Sequence, residues 1–353
     1  MEKKYHIPRY LGFRDLISNS DTFTLKLGYT HYTEKELGLD EQGLDFIRFF
    51  LEPKTIAEAS CHFELDSGEV LDFVENLQRE GVLKEHLSIE SESYNRYDRH
   101  LLYYEMLGEN QYTIQEKLKN SKVGLIGMGG IGNWVSLGLI GSGLGELRLI
   151  DFDDIELSNL TRQVLFDEED IGKLKVECAQ KKLELKNSDT KVSIFKKEIK
   201  GEQDIIDSAE SLDIIILSAD TPPEIHTWLD CAAKKLGIPY LNAGYRDGVG
   251  VVGPLTIHGR TSCYQCYKPK NSENVTNELK TEISNVFYSR YQAPSFGPIN
   301  AVVSNIAVLE TLKFLGGFGE LNSFDTEINV DAVSLGLNFK KYSRDENCWH
   351  CNE

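Results

Sequence analysis

Lys122-Val-Gly-Leu-Ile-Gly127-Met-Gly129-Gly130-Ile-Gly132 is an apolar strand that runs into a cluster of glycines and then into a helix-forming stretch. Glycines here allow a tight turn and a close approach of the backbone to a phosphate, and the N–H groups of the helix start point at the anion. Nineteen residues after Gly132, Asp151 ends the next strand, where a carboxylate can accept a hydrogen bond from a ribose hydroxyl. Strand, glycines, helix, strand and acid in that order indicate an adenosine nucleotide. They do not separate NAD or FAD from ATP, and a glycine-rich turn with no ligand is the plain alternative.

The residues that follow bear on that choice. Asp151-Phe-Asp153-Asp-Ile-Glu-Leu-Ser-Asn159-Leu-Thr-Arg162-Gln163 sets an amide, a guanidinium and a second amide just beyond the ribose acid, and Ile171-Gly-Lys-Leu-Lys175 opens another helix. A converging Arg162 and Lys175 suit a triphosphate, whose charge builds on the leaving pyrophosphate in the transition state. As ordinary surface charges they would carry no such meaning. Asp220 follows the apolar strand Ile214–Leu217 and opens Thr-Pro-Pro. At the carboxyl end of a central strand it is a candidate magnesium ligand bridging to nucleotide phosphates. Its other reading is the N-cap of the next helix.

Outward from the glycine loop, Lys122–Gly127, Glu146–Asp151, Val192–Phe195, Asp213–Ser218 and Pro239–Asn242 read as strands with helical stretches between them. That alternation predicts an α/β domain with a doubly wound, largely parallel, Rossmann-like sheet over residues 91–353. Residues 1–90 read differently. A strand at Phe23–Gly28, a short helix at Gly43–Leu51, and helical segments at Thr55–Phe63 and Ser67–Gly81 suggest a small winged-helix-like domain. Asp66 with Glu69 forms a capping box, and Gly81 stands where a helix C′ residue belongs. The second of those segments carries Asp72, Glu75 and Glu80 against Arg79, so contact with DNA phosphates is disfavoured. Peptide recognition by strand addition and a packing domain without a ligand are the two readings left. His86–Tyr94 reads as the linker.

The chain has 353 residues, with 38 basic against 56 acidic side chains and a net charge of −18. Nucleic acid and anionic membranes both require a basic surface, so neither is an expected partner. No run of about eighteen apolar residues and no signal-peptide h-region is seen, and a cytoplasmic protein is expected. Four of the 7 cysteines form Cys263-Tyr-Gln-Cys266 and Cys348-Trp-His-Cys351. Four thiolates fill a tetrahedral zinc shell with no open position, so a structural zinc that pins the C-terminal tail is predicted, with a redox dithiol as the alternative. His350 reads as a bystander.

Taken together, Gly127–Gly132, Asp151, Ser158-Asn159-Leu-Thr-Arg162-Gln163, Lys175 and Ser218-Ala-Asp220 resemble the adenylation domain shared by ThiF, MoeB and ubiquitin-activating enzymes. The resemblance implies ATP as substrate with Mg²⁺, and zinc on the four cysteines. Arg96-Tyr-Asp-Arg99 resembles the motif preceding that domain, which implies that Arg99 reaches into the partner's active site of a homodimer. Asn159–Phe166, Asn242-Ala-Gly-Tyr245 and Gly253-Pro-Leu255 are similar to the MccB-type branch, and more broadly to the PaaA type. Those branches modify a ribosomal precursor peptide in antibiotic biosynthesis, by nucleotidylation or by glutamate activation and cyclisation. A sulfur-carrier adenylyltransferase and an NAD- or FAD-dependent oxidoreductase are the alternatives. Ubiquitin-activating enzymes pass the acyl group to a cysteine, yet Tyr267–Pro294 contains none, and Cys178 and Cys231 read as small buried hydrophobes. A thioester step is therefore not expected. Lys268–Arg290 reads as a mobile segment able to cover the peptide, with a disordered surface loop as the alternative.

Overall fold

The computed structural model describes residues 2–87, 92–246, 248–268 and 294–352. The expected covering segment Lys268–Arg290 falls outside these residues after Lys268, as does part of the linker. The chain divides into two compact units, Met1–Ile114 and Gln115–Glu353.

In the first unit, three antiparallel strands, Phe13–Asn19, Thr22–Leu27 and Lys35–Leu39, form one sheet in that order. Lys4–His6 runs between the short strands Lys54–Thr55 and Lys84–Glu85 in a second sheet. Helices Glu41–Phe49, Ile56–Phe63 and Ser67–Arg79 bury Phe46, Phe50, Val70, Val74 and Leu77 in a common core. The Phe46 ring lies 4.2 Å from that of Phe73 and 5.1 Å from that of Phe63, centre to centre. Residues 98–106, assigned from the sequence to the second domain, form a helix in this unit, where Asp98 pairs with Arg9 and the Lys84 ammonium meets the Glu105 carbonyl. The strand Phe13–Asn19 is an edge strand exposed along its whole length.

The capping box on Ser67–Arg79 is present: Asp66 accepts from the Gly68 N–H at 2.8 Å, and Glu69 accepts from the Asp66 N–H at 3.1 Å. Gly81 follows with φ +71°, the left-handed turn that ends the helix. Asp66→Ala is expected to weaken this helix by about 1 kcal/mol, read as roughly fivefold faster amide exchange within it.

The second unit is built on an eight-stranded sheet. Its five parallel strands run Tyr240–Arg246, Ile214–Leu217, Lys122–Ile126, Glu146–Ile150, Lys191–Phe195. Ile214–Leu217 is wholly buried, as an uninterrupted aliphatic run in the middle of a covered parallel sheet should be. Three antiparallel strands, Val249–Thr256, Thr326–Asp331 and Leu337–Lys341, extend the sheet beyond Tyr240–Arg246.

Helix Gly297–Gly316 is long and apolar enough in composition to cross a membrane, although the sequence reading found no such run. Here it lies on the sheet and against helix Gly130–Gly141. Ser304 Oγ donates to the Ile131 carbonyl at 2.9 Å, and a Cβ on Gly250 would lie 2.1 Å from Val303. Its apolarity serves packing between a sheet and a second helix.

Candidate functional site

The glycine loop has a shape that side chains would prevent. Gly127 sits at φ +96°, and a Cβ there would lie 2.9 Å from the Ala219 nitrogen. A Cβ on Gly132 would lie 2.0 Å from the Gly127 carbonyl oxygen. Gly129 differs: nothing lies within 4 Å of its Cβ position, so the space above it is open. It is also the N-cap of Gly130–Gly141 and offers no side chain to the first N–H groups of that helix. Those donors suit an anion.

Three side chains brace the loop. Ser218 Oγ donates to the Gly127 carbonyl at 2.7 Å. Asn133, wholly buried, donates to the carbonyls of Met128 at 2.9 Å and Gly129 at 3.0 Å, and accepts from the Leu165 N–H at 3.0 Å. Asp151 accepts from the Met128 N–H at 2.6 Å and the Asp153 N–H at 2.8 Å. Burial pushes the Asp151 carboxyl above its ordinary range, while the Lys175 ammonium and these two N–H groups oppose that rise. One of its oxygens therefore holds the loop and the other the turn at Asp153, a task that sequence reasoning did not foresee for a ribose acid. Sequence reasoning also missed Asn133, which carries no motif of its own.

The charged groups gather around this frame. Lys175 is buried at the start of helix Lys175–Lys186, its Nζ 2.7 Å from Asp153. An ammonium has three donors, so a phosphate could share it with Asp153. Asn159 accepts the Glu156 N–H through its side chain at 3.2 Å, and its carbonyl accepts from the N–H groups of Arg162 and Gln163. That turn sets Arg162 against the helix start, where its Cγ lies 3.2 Å and Asn300 Nδ2 lies 2.2 Å from the Cβ position of Gly130. Arg162 is half-buried as a residue, and its guanidinium donates to the Ser158 carbonyl at 2.8 Å. Gln163 Oε1 and Asn300 Oδ1 are buried without hydrogen-bond partners. Buried acceptors in that state are suited to a ligand's donors.

Asp220 is exposed just past the carboxyl end of Ile214–Leu217, with the Thr221 hydroxyl 3.4 Å from Oδ1. The next helix begins at Ile225 with Glu224 as its N-cap, so the capping alternative for Asp220 falls. Its carboxylate stands at the same end of the sheet as the glycine loop, as a ligand for a phosphate-bound cation should. Arg99 is exposed on helix Asp98–Met106 of the first unit.

The four cysteines come together from both ends of the second unit's antiparallel half. Sγ–Sγ distances are 3.7 Å for Cys263–Cys266 and Cys263–Cys348, 3.4 Å for Cys266–Cys351 and 3.3 Å for Cys263–Cys351. A tetrahedral zinc shell with bonds of about 2.3 Å separates its sulfurs by roughly 3.8 Å, so the set fits such an ion. The Asp345 N–H donates to Cys266 Sγ at 3.5 Å. Of the remaining cysteines, Cys61 is exposed, Cys178 buried and Cys231 half-buried.

The sequence profile of the ThiF family matches residues 97–350. The sulfur carrier protein ThiS adenylyltransferase of Escherichia coli (strain K12) is 33% identical over 237 residues, covering 65% of this chain and 86% of that protein. Escherichia coli MccB in complex with MccA-N7isoAsn superposes with a TM-score of 0.81 at 29% identity, covering 99% of this chain and 100% of that one. Its complex with ATP gives 0.78 at 29% identity, over 99% of each chain. PaaA shares the fold, with a TM-score of 0.69 at 23% identity, over 94% of this chain and 99% of that one.

Proposed function

The chain belongs to the ThiF family of adenylyltransferases, and from that premise we propose that it uses ATP to adenylate a ribosomally made precursor peptide. The observation that carries this reading is coverage. The family profile begins at residue 97, whereas the likeness to MccB, a protein solved with MccA, extends over 99% of the chain and so takes in the small first unit. That unit, with its open edge strand Phe13–Asn19, is the proposed peptide-recognition element.

In the proposed reaction a peptide oxygen attacks the α-phosphorus of ATP in line, the new O–P bond forms, and pyrophosphate departs with the electron pair of the bond that breaks. Gly127, Gly129, Gly130 and Gly132 offer backbone N–H groups to the phosphates. Arg162 and Lys175 face the charge that develops on the leaving group. Asn159 and Gln163 shape the ground beneath the nucleotide, Asp151 and Asp153 the ribose side. Asp220 would hold Mg²⁺, which when bound neutralises phosphate charge. Cys263, Cys266, Cys348 and Cys351 would hold a zinc ion that ties the tail to the domain. By the family resemblance, Arg99 enters the neighbouring active site of a homodimer. The oxidoreductase alternative is set aside by family membership.

A second reading has its own support: the 33% identity to a ThiS adenylyltransferase points to a sulfur-carrier substrate. ATP–pyrophosphate exchange separates the two. A pool of synthetic peptides, randomised upstream and ending in asparagine or containing a Glu-Glu pair, is expected to raise exchange at least about tenfold, while ThiS does not. Stimulation by ThiS alone would overturn the peptide reading. The product mass then divides the chemistry: a retained nucleotide indicates the MccB type, and loss of water indicates the PaaA type.

A further inference from the structure

Beside the cysteine cluster lies a second set of metal-ligating side chains, Asp230, His258 and His350, whose donor atoms all fall within 4.8 Å of one another. Asp230, on helix Ile225–Leu236, is wholly buried. Its Oδ1 accepts from the Tyr240 hydroxyl at 2.9 Å and lies 3.1 Å from His258 Nε2. Its Oδ2 accepts no hydrogen bond and lies 3.5 Å from His350 Nε2. Among the described residues no Lys or Arg pairs with this carboxylate. Lys234, on the same helix, gives its ammonium to the His350 carbonyl at 2.6 Å. Besides the Tyr240 hydroxyl, two imidazoles meet this buried anion among the described residues, His350 Nε2 lying also 3.4 Å from the Asp230 carbonyl, and a buried charge without a full counter-charge is costly.

The neighbouring site deepens the imbalance. A divalent ion on four thiolates leaves that cluster with a net charge of about −2. An unmetallated Asp230 would add a further negative charge close by. We propose that Asp230, His258 and His350 hold a second divalent metal ion of the zinc class, through a carboxylate oxygen and the two Nε2 atoms. Two imidazoles and one carboxylate select a borderline transition metal over Mg²⁺ or Ca²⁺, which prefer all-oxygen shells. Filled in this way, the site carries about one positive charge and faces the negative tetrathiolate, so the two ions attract each other's ligand shells. His350 lies between Cys348 and Cys351 in the chain, so both ions would fasten the same tail, one to the segment at Cys263 and the other to helix Ile225–Leu236.

The full chain, dialysed against zinc and then against metal-free buffer, is the sample for the test, with metal counted by mass spectrometry. A second zinc equivalent is expected in the wild type, and its loss is expected in both His258→Gln and Asp230→Asn, with circular dichroism unchanged and the first equivalent retained. Cobalt in the second site should absorb without sulfur charge-transfer bands. A single equivalent in the wild type overturns the proposal, and so does retention of both equivalents in the two variants. The first result reads the wild type alone, so it stands even if a variant misfolds. It is also independent of whether the peptide reading survives.

Discussion

Gly132→Ala is expected to reduce pyrophosphate release to below about one per cent of wild type, because the added methyl has nowhere to go. Its Cβ would stand 2.0 Å from the Gly127 carbonyl oxygen. That oxygen is backbone, held in place by Ser218 and by the left-handed conformation of Gly127, so it cannot swing aside like the end of a flexible side chain. The loop must move by about 1 Å, and a displacement of that size at a reacting phosphate costs on the order of a hundredfold in rate. Gly129→Ala is the contrasting control. Its methyl would meet no protein atom within 4 Å, so the melting temperature should stay at the wild-type value while nucleotide affinity falls. Calorimetric titration with ATP and a melting curve on both variants check the pair. Wild-type turnover by Gly132→Ala would show that the loop does not cradle the nucleotide.

The second large effect is expected at Arg162 and Asp220. Arg162→Ala and Asp220→Ala should each slow pyrophosphate release by about a hundredfold to a thousandfold, the range seen when one preorganised charge-stabilising group is removed. Stability should change little: Asp220 is exposed, and the Arg162 guanidinium makes an exposed hydrogen bond, to the Ser158 carbonyl. Arg162→Lys should rescue little, since a point charge cannot reproduce a planar fork on phosphate oxygens. Single-turnover measurement of pyrophosphate, with melting curves alongside, separates chemistry from folding. Near-normal release from either alanine variant would refute its placement at the phosphates.

The parallel half of the sheet and the glycine loop were legible because their signals are contiguous. Runs such as Ile214–Leu217 and Lys122–Ile126 are apolar throughout, and the glycines stand together. The antiparallel half was not legible for physical reasons that differ strand by strand. Val249–Thr256 contains two glycines and a proline, Thr326–Asp331 alternates acids and amides with its aliphatic residues, and Leu337–Lys341 is an edge strand exposed along its length. No run of apolar residues marks them, and only pairing with a neighbour gives them order. The cysteine cluster was legible because each half is a local pair. The Asp230, His258 and His350 cluster was not, since single residues more than a hundred positions apart from first to last leave no spacing to read. Asn133 escaped for the same reason: a lone amide inside a helix gains its meaning from the two carbonyls and the N–H that surround it.

The bracing of the glycine loop by Ser218, Asn133 and Asp151 has a kinetic consequence. Four hydrogen bonds with these three side chains fix its backbone before any nucleotide arrives. The conformational entropy of shaping the cradle is thus surrendered during folding rather than at the encounter. Capture of ATP should proceed in a single phase whose rate rises linearly with nucleotide concentration, without the plateau that a slow rearrangement would impose.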